Sequence, residues 1–133
     1  MGMSIAQAFA DKLYDVTVYD IAEKSIEHGK KLLALNQEAL IASGKSTPQH
    51  SKEVVEHISF TTDINDAKDT DFVTESVVER LEIKHDFWGK LSQVVDEDIL
   101  LTTNTSGLSI TAIAEVVKCP ERFVGMHWFN PPH

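Results

Sequence analysis

Five short apolar runs alternate with amphipathic stretches along this chain. No other feature constrains its fold as much. The runs are Asp15–Asp20 (DVTVYD), Ile58–Thr62, Phe72–Ser76 (FVTES), Ile99–Thr103 and Phe123–His127. Each is too short for a helix and suits a strand. Between them, apolar residues recur at helical spacing. Ile5, Ala6, Ala8, Phe9 and Leu13 mark a helix over Gly2–Lys12. Ile26, Leu32, Leu33, Leu35, Ala39 and Leu40 mark a long one over Ile21–Ser43. Gly44 suits the position just past its end. Ser46-Thr47-Pro48 then reads as a fresh N-cap with proline in the first turn, opening a helix to about Glu56. Residues 21–57 are therefore expected to form a helical hairpin. Asn65–Lys68 is expected as a short turn or helical segment. Leu81–Val95 carries Ile83, Phe87, Trp88, Leu91 and Val95 at helical spacing, and Ser109 caps a helix to Val117. Strands alternating with helices mean an α/β fold on a doubly wound, mostly parallel sheet.

The chain has 133 residues, no repeat and no linker, and reads as one domain or part of one. Twelve Lys+Arg against twenty-one Asp+Glu give a net charge of −9, which argues against a nucleic-acid surface. Cys119 is the only cysteine, so no disulfide framework exists. It reads as a small loop residue before Pro120, with a reactive thiol as the alternative. No window approaches the roughly 20 apolar residues of a membrane span. No signal peptide is visible. A cytoplasmic protein is the expectation. No His/Cys cluster has zinc spacing, so no metal is expected.

Chemistry should collect where strands end, because open α/β sheets bind ligands at their carboxyl edge. Leu100–Thr103 runs into Asn104, Thr105, Ser106 and Gly107, all small or polar. Phe123–Met126 delivers His127, then Asn130, ahead of Pro131 and Pro132. His127 has an imidazole suited to proton transfer near neutral pH, although a lone strand histidine is more often structural. His28, His50, His57, His85 and His133 lack such a setting and read as surface residues. Glu79 and Lys84 follow the FVTES strand. They read either as a solvated pair beside a helix or as site residues.

The chain opens on a helix, whereas a doubly wound sheet starts with a strand that becomes its centre. The expectation is a first strand missing and a chain cut at both ends, leaving two unpaired strand edges. Gly2 begins the first helix and Asp20 follows eighteen residues later. A dinucleotide (Rossmann-type) site places an acid about 20 residues beyond its glycine loop, on the ribose hydroxyls. An acid there favours NAD over NADP. Asp20 has a second reading: Asp20-Ile21-Ala22-Glu23 fits a helix cap with a capping partner. The two roles are compatible.

NTSGLSITAIA followed by PERFVGMHWFNPP resembles the N-terminal NAD-binding domain of the 3-hydroxyacyl-CoA dehydrogenases. That family shows N-T-S-S-L, then P-x-R-x-x-G-x-H-F-F-N-P. The likeness extends from MGMSIAQ through DVTVYD and FVTESVVERLEIK to HWFNPP. It implies roles for particular residues. Met1 and Gly2 match the end of the glycine-rich loop under the pyrophosphate, and Asp20 the adenosine-ribose acid. Glu79 and Lys84 match residues near the nicotinamide half of NAD. Asn104 and Ser106 match the strand-end pair, with the serine between cofactor and substrate oxygen. His127 matches the catalytic histidine, and Asn130 an asparagine that helps hold nicotinamide and the active-site loop. The implied reaction removes the 3-hydroxyl proton through His127 while hydride leaves C3 for NAD, or the reverse. A glutamate that orients the imidazole would lie beyond His133, as would a helical C-terminal domain through which the full protein dimerises.

The chain departs from that pattern at several positions. Gly107 replaces the second serine, Trp128 a phenylalanine, and Ser4 a common glycine; Leu13 stands where a glycine usually ends the first helix. Asn36 and Ser43 occupy the places of a CoA-contacting serine and lysine, with Lys45 nearby. Two alternatives follow: a dehydrogenase of a hydroxy acid without CoA, like gulonate dehydrogenase and lambda-crystallin, or a nucleotide-binding protein without catalysis. This span by itself is expected to be inactive.

Overall fold

Among the described residues every strand pairing is parallel, as the alternation requires, but the strands form two sheets rather than one. The computed structural model describes residues 1–129. They divide into two units, residues 1–63 and 64–129, each with its own sheet and core.

The first unit contains α1 (Gly2–Ala10), β1 (Val16–Tyr19), α2 (Glu23–Ala42), α3 (Pro48–Glu56) and β2 (Ile58–Thr61). β1 and β2 pair from Val16↔Ile58 to Tyr19↔Thr61. Met3, Ala6 and Ala10 of α1 meet Leu33, Val54 and Ile58 in an aliphatic core. Its buried polar contacts are neutral. The Ser51 hydroxyl donates to Gln37 at 2.9 Å and ties α3 to α2. The Asn36 amide donates to Gln7 at 3.0 Å and ties α2 to α1.

The hairpin forms where its signals placed it. Gly44 takes φ +71°, its N–H reaches the Ile41 carbonyl, and the Lys45 N–H reaches Leu40 at 2.9 Å. These are the two bonds of a Schellman end. Thr47 accepts from the His50 N–H at 3.1 Å and Pro48 is the first helical residue. Removing such a cap costs about 1 kcal/mol. The start of α2 corrects the sequence reading. Its N-cap is Ala22 and Glu23 is already helical, so Asp20 does not cap it. Instead Asp20 Oδ1 accepts from the Ala22 N–H at 2.8 Å, a local turn that leads into the helix. Leu13 leaves α1 with φ +62°, a left-handed conformation that costs a side-chain-bearing residue about 1–2 kcal/mol.

The second unit holds a 3-10 turn (Ile64–Ala67), β3 (Phe72–Glu75), α4 (Leu81–Val94), β4 (Leu100–Thr103), α5 (Ile110–Ala114), a second 3-10 turn (Pro120–Arg122) and β5 (Phe123–Gly125). The strand order is β3-β4-β5. Trp88 is fully buried, edge-on to Phe123 at 4.9 Å, among Leu91, Val95, Leu101, Ile113 and Val117. A Cβ on Gly125 would sit 2.6 Å from Ile110 Cδ1, so α5 lies against β5 at a glycine. Ser109 caps α5 as expected, accepting from the Ala112 N–H at 3.2 Å. α5 ends at Ala114, short of Val117, because the chain turns there and the Val117 N–H bonds back to Ala114. β5 ends at Gly125, short of His127, because its partner β4 ends at Thr103.

Three of the histidines expected at the surface are half-buried and engaged. His50 bonds Asp11 at 3.0 Å, His57 bonds Asp15 at 2.6 Å, and His85 Nε2 donates to the Ala112 carbonyl at 2.6 Å. His28 is exposed. Among the described residues no helix is long and apolar enough to cross a membrane.

Candidate active site

Parallel register brings the ends of β3, β4 and β5 side by side. The Asn104 N–H bonds the Glu75 carbonyl at 2.8 Å, and the Met126 N–H bonds Thr103 at 2.9 Å. Residues just beyond each strand thus share one carboxyl edge.

Glu75, the last residue of β3, is 1% exposed. Acids are almost never buried this far without partners. Here Oε1 accepts from the Val77 N–H at 2.7 Å and from Lys84 Nζ at 2.6 Å. Oε2 accepts from the Trp88 indole at 3.0 Å and the Thr103 hydroxyl at 2.5 Å. Both oxygens act as acceptors, the role of an ionised carboxylate. Glu75 was not singled out from the sequence. The available signal was an acid inside a parallel strand, where runs are normally apolar.

Lys84, on α4, has a side chain with no exposure at all. The solvated-pair reading is therefore wrong for it. Its ammonium also lies 3.4 Å from the Asn104 carbonyl and 3.7 Å from Glu79 Oε2. Glu79 is half exposed. Its Oε1 accepts from the Thr105 hydroxyl, from the Ser106 N–H at 3.2 Å and from the Gly107 N–H at 3.3 Å. The Thr105 hydroxyl, with smaller help from the Gly107 N–H, Lys84 and the Ser106 N–H, holds the Glu79 carboxyl below its usual range against an opposing effect of burial.

Asn104 uses both ends of its amide. Oδ1 accepts from the Trp128 N–H at 3.0 Å and Nδ2 donates to Ser76 Oγ at 3.3 Å. It therefore braces the segment after β5 against the segment after β3. On that braced edge Ser106 Oγ and His127 Nε2 lie 3.0 Å apart, with His127 exposed. His127 Nδ1 has no partner among the described residues. Phe129 tilts against the imidazole with ring centroids 4.8 Å apart. Asn130 and His133 lie outside the described residues. Gly107 has nothing within 4 Å of a would-be Cβ, so the lost serine hydroxyl would have room. Cys119 precedes the second 3-10 turn. Burial, then Glu97 and Glu121, push its thiol up, which disfavours the reactive form.

The first unit holds the remaining candidates. Met1 is the N-cap of α1 and Gly2 its first residue. The first N–H to meet a helical carbonyl is that of Ile5, on Met1 at 3.0 Å. The N–H groups of Gly2, Met3 and Ser4 are thus not used by the helix, which is how helix starts receive phosphate. Asp20 commits Oδ1 to its local turn and leaves Oδ2 without a partner among the described residues. The helix start and the open acid oxygen fit the phosphate and ribose of a dinucleotide. Lys84 and Asn104 differ, since their polar atoms already bond protein groups, Lys84 with no side-chain exposure.

The whole span, residues 1–133, matches the family described as 3-hydroxyacyl-CoA dehydrogenase, NAD binding domain. The chain belongs to that family. It is 40% identical over 131 residues to a 3-hydroxybutyryl-CoA dehydrogenase of Clostridioides difficile, covering 98% of this chain and 47% of that protein. The chain spans about half the length of the curated relatives it matches. The crystal structure of a 3-hydroxybutyryl-CoA dehydrogenase from Escherichia coli aligns with a TM-score of 0.95 at 36% identity, over 99% of this chain and 28% of that one. A second solved relative, an NAD-dependent 5-formyl-3-hydroxy-2-methylpyridine 4-carboxylic acid 5-dehydrogenase, aligns at 0.84 and 34% identity, over 100% of this chain and 42% of that one. The Rossmann-type α/β class read from the sequence is the fold of these neighbours.

Proposed function

We propose that the protein containing this chain oxidises the 3-hydroxyl of a 3-hydroxyacyl-CoA, such as 3-hydroxybutyryl-CoA, or runs the reverse reaction, with NAD as cofactor. The observation that carries the reading is the Ser106–His127 contact at 3.0 Å on the carboxyl edge of β4 and β5. The bound NAD would supply the site that accepts or returns hydride. Met1 and Gly2, at the start of α1, receive its phosphates, and Asp20 Oδ2 receives a ribose hydroxyl. Glu79, Asn104 and Ser106 shape the nicotinamide end, Lys84 supports them from beneath, and Asn130 belongs to the same group.

With the proton on Nδ1, His127 Nε2 accepts a hydrogen bond from Ser106. Exchanging that bond for one to the substrate hydroxyl makes His127 the general base, and the general acid in reverse. Ser106 Oγ then stays within reach of the same substrate oxygen. An exposed imidazole needs a carboxylate to fix its tautomer, and among the described residues Nδ1 has no partner. The full protein is proposed to be a cytoplasmic homodimer without nucleic-acid or membrane partners, on the acidic charge and the likeness to its family.

A second reading rests on the 34%-identical relative that acts on a pyridine carboxylic acid: a dehydrogenase of a hydroxy acid without CoA. The Asn36 amide, bonded to Gln7, and the Ser43 hydroxyl, bonded to the Leu40 carbonyl at 3.1 Å, offer CoA no positive charge. Initial rates of the full-length protein with NADH test the choice. Turnover of acetoacetyl-CoA but not free acetoacetate is expected. Turnover of free acids alone would replace the first reading by the second.

A further inference from the structure

We infer that Glu75, acting through Lys84, is a positioning residue for the Ser106–His127 pair; the inference rests on the dehydrogenase reading above. Glu75 is the acid most deeply enclosed in the second unit, with four donors on its two oxygens. A dry ion pair is weak evidence of stabilisation, because apolar residues of similar size often serve as well. Something other than holding the sheet together is therefore needed to account for it.

The Lys84 ammonium supplies the link. Its contacts are Glu75 Oε1 at 2.6 Å, the Asn104 carbonyl at 3.4 Å and Glu79 Oε2 at 3.7 Å. Glu75 fixes the ammonium, and the ammonium faces two groups of the strand-end edge. From there two routes reach the imidazole. Glu79 holds the backbone N–H groups of Ser106 and Gly107, and Ser106 meets His127. Asn104 holds the Trp128 N–H, next in chain to His127. A methylene-bearing apolar pair in place of Glu75 and Lys84 would fill the volume but take the ammonium away from Glu79 Oε2 and the Asn104 carbonyl. Lys84 thus orders the site from below rather than meeting the ligand.

The test uses the full-length protein with Glu75→Gln, Glu75→Gln/Lys84→Met and Glu75→Asp. Three quantities are measured: the unfolding midpoint, kcat and KM with acetoacetyl-CoA and NADH, and amide hydrogen exchange at Ser106 and Gly107. The double variant removes both charges together, so it should fold with a midpoint near the parent. Its kcat should nevertheless fall about 10²-fold, the cost of a misplacement on the order of 1 Å, with KM within about threefold. Its Ser106 and Gly107 amides should exchange at least about tenfold faster. Glu75→Asp, which keeps the charge but draws it back from Lys84, should show smaller losses in the same readouts even if the double variant does not fold. Parental kcat and parental exchange in a folded double variant, or in Glu75→Asp, would overturn the inference. If the parent itself turns over neither ester nor free acid, the dehydrogenase reading fails alone, and the exchange at Ser106 and Gly107 still decides whether Glu75 orders that edge.

Discussion

Residues 1–63 and residues 64–129 are both small parallel sheets clothed in helices, yet they handle charge in opposite ways. In the first, the Lys–Glu pairs Lys30–Glu27 and Lys52–Glu56 are exposed, His50 and His57 meet their acids half-buried, and the buried polar contact is the neutral Ser51–Gln37 bond. In the second, Glu75 and Lys84 form an ion pair with no exposed side-chain surface on either partner. The strand-end acids show the same contrast. Asp20 keeps one oxygen without a partner among the described residues, as the proposed ribose contact requires. Glu75 is saturated by protein and can only organise what surrounds it. An acid at a strand end is thus a ligand group or a scaffold according to how many donors the protein itself already aims at it.

Truncating a partner in each unit should break or confirm this contrast most strongly. Lys84→Ala strands Glu75 as an unpaired buried charge and should cost about 3–5 kcal/mol in urea unfolding. Asp20→Ala removes one exposed-turn bond and should cost no more than about 1 kcal/mol. Equal losses would erase the difference between the two acids. Trp88→Phe keeps most of the ring but takes one donor from Glu75 Oε2, at an expected cost of about 1–3 kcal/mol. A neutral result would mean that the carboxylate does not need its full set of donors.

In the first unit the strain lies in the backbone rather than in buried charge. Leu13→Gly should therefore stabilise the protein by about 1 kcal/mol, because Leu13 is half-exposed and its φ of +62° suits glycine. The smallest effect concerns Glu79. Its carboxyl titrates below its unfolded value of about 4.3, so its contribution is complete above that pH. It disappears as pH falls from there through the lower folded value. The acid limb of an unfolding-midpoint profile should be shallower in Glu79→Gln than in the parent. An unchanged limb would mean that the bonds from Thr105, Ser106 and Gly107 do not favour the ionised form.

Elements were legible in the sequence wherever one local signal decided them. Gly44 and Ser46-Thr47-Pro48 set the hairpin because a left-handed turn and a cap are properties of a few neighbouring residues. The end of β5 was misjudged because a strand stops where its partner stops, and Thr103 is twenty residues away from Phe123; α5 ends where the chain turns back from Val117 to Ala114. The capping reading of Asp20 fitted its spacing, yet α2 begins at Glu23. Ser106 and His127 could be singled out because strand-end hydroxyls and imidazoles stand apart from their apolar runs, and the fold brings the two within 3.0 Å. Glu75 escaped notice because its partners Lys84, Trp88 and Thr103 come from two other elements. No spacing within FVTES announces them.

The most direct measurement is the turnover of full-length His127→Gln with acetoacetyl-CoA and NADH, alongside its NADH dissociation constant. The expected result is a kcat lower by roughly 10²–10⁴-fold, the range for loss of a general acid–base group, with NADH binding unchanged. Parental turnover in that variant would contradict the account, because the strand-end edge would then be placing its imidazole for some purpose other than proton transfer.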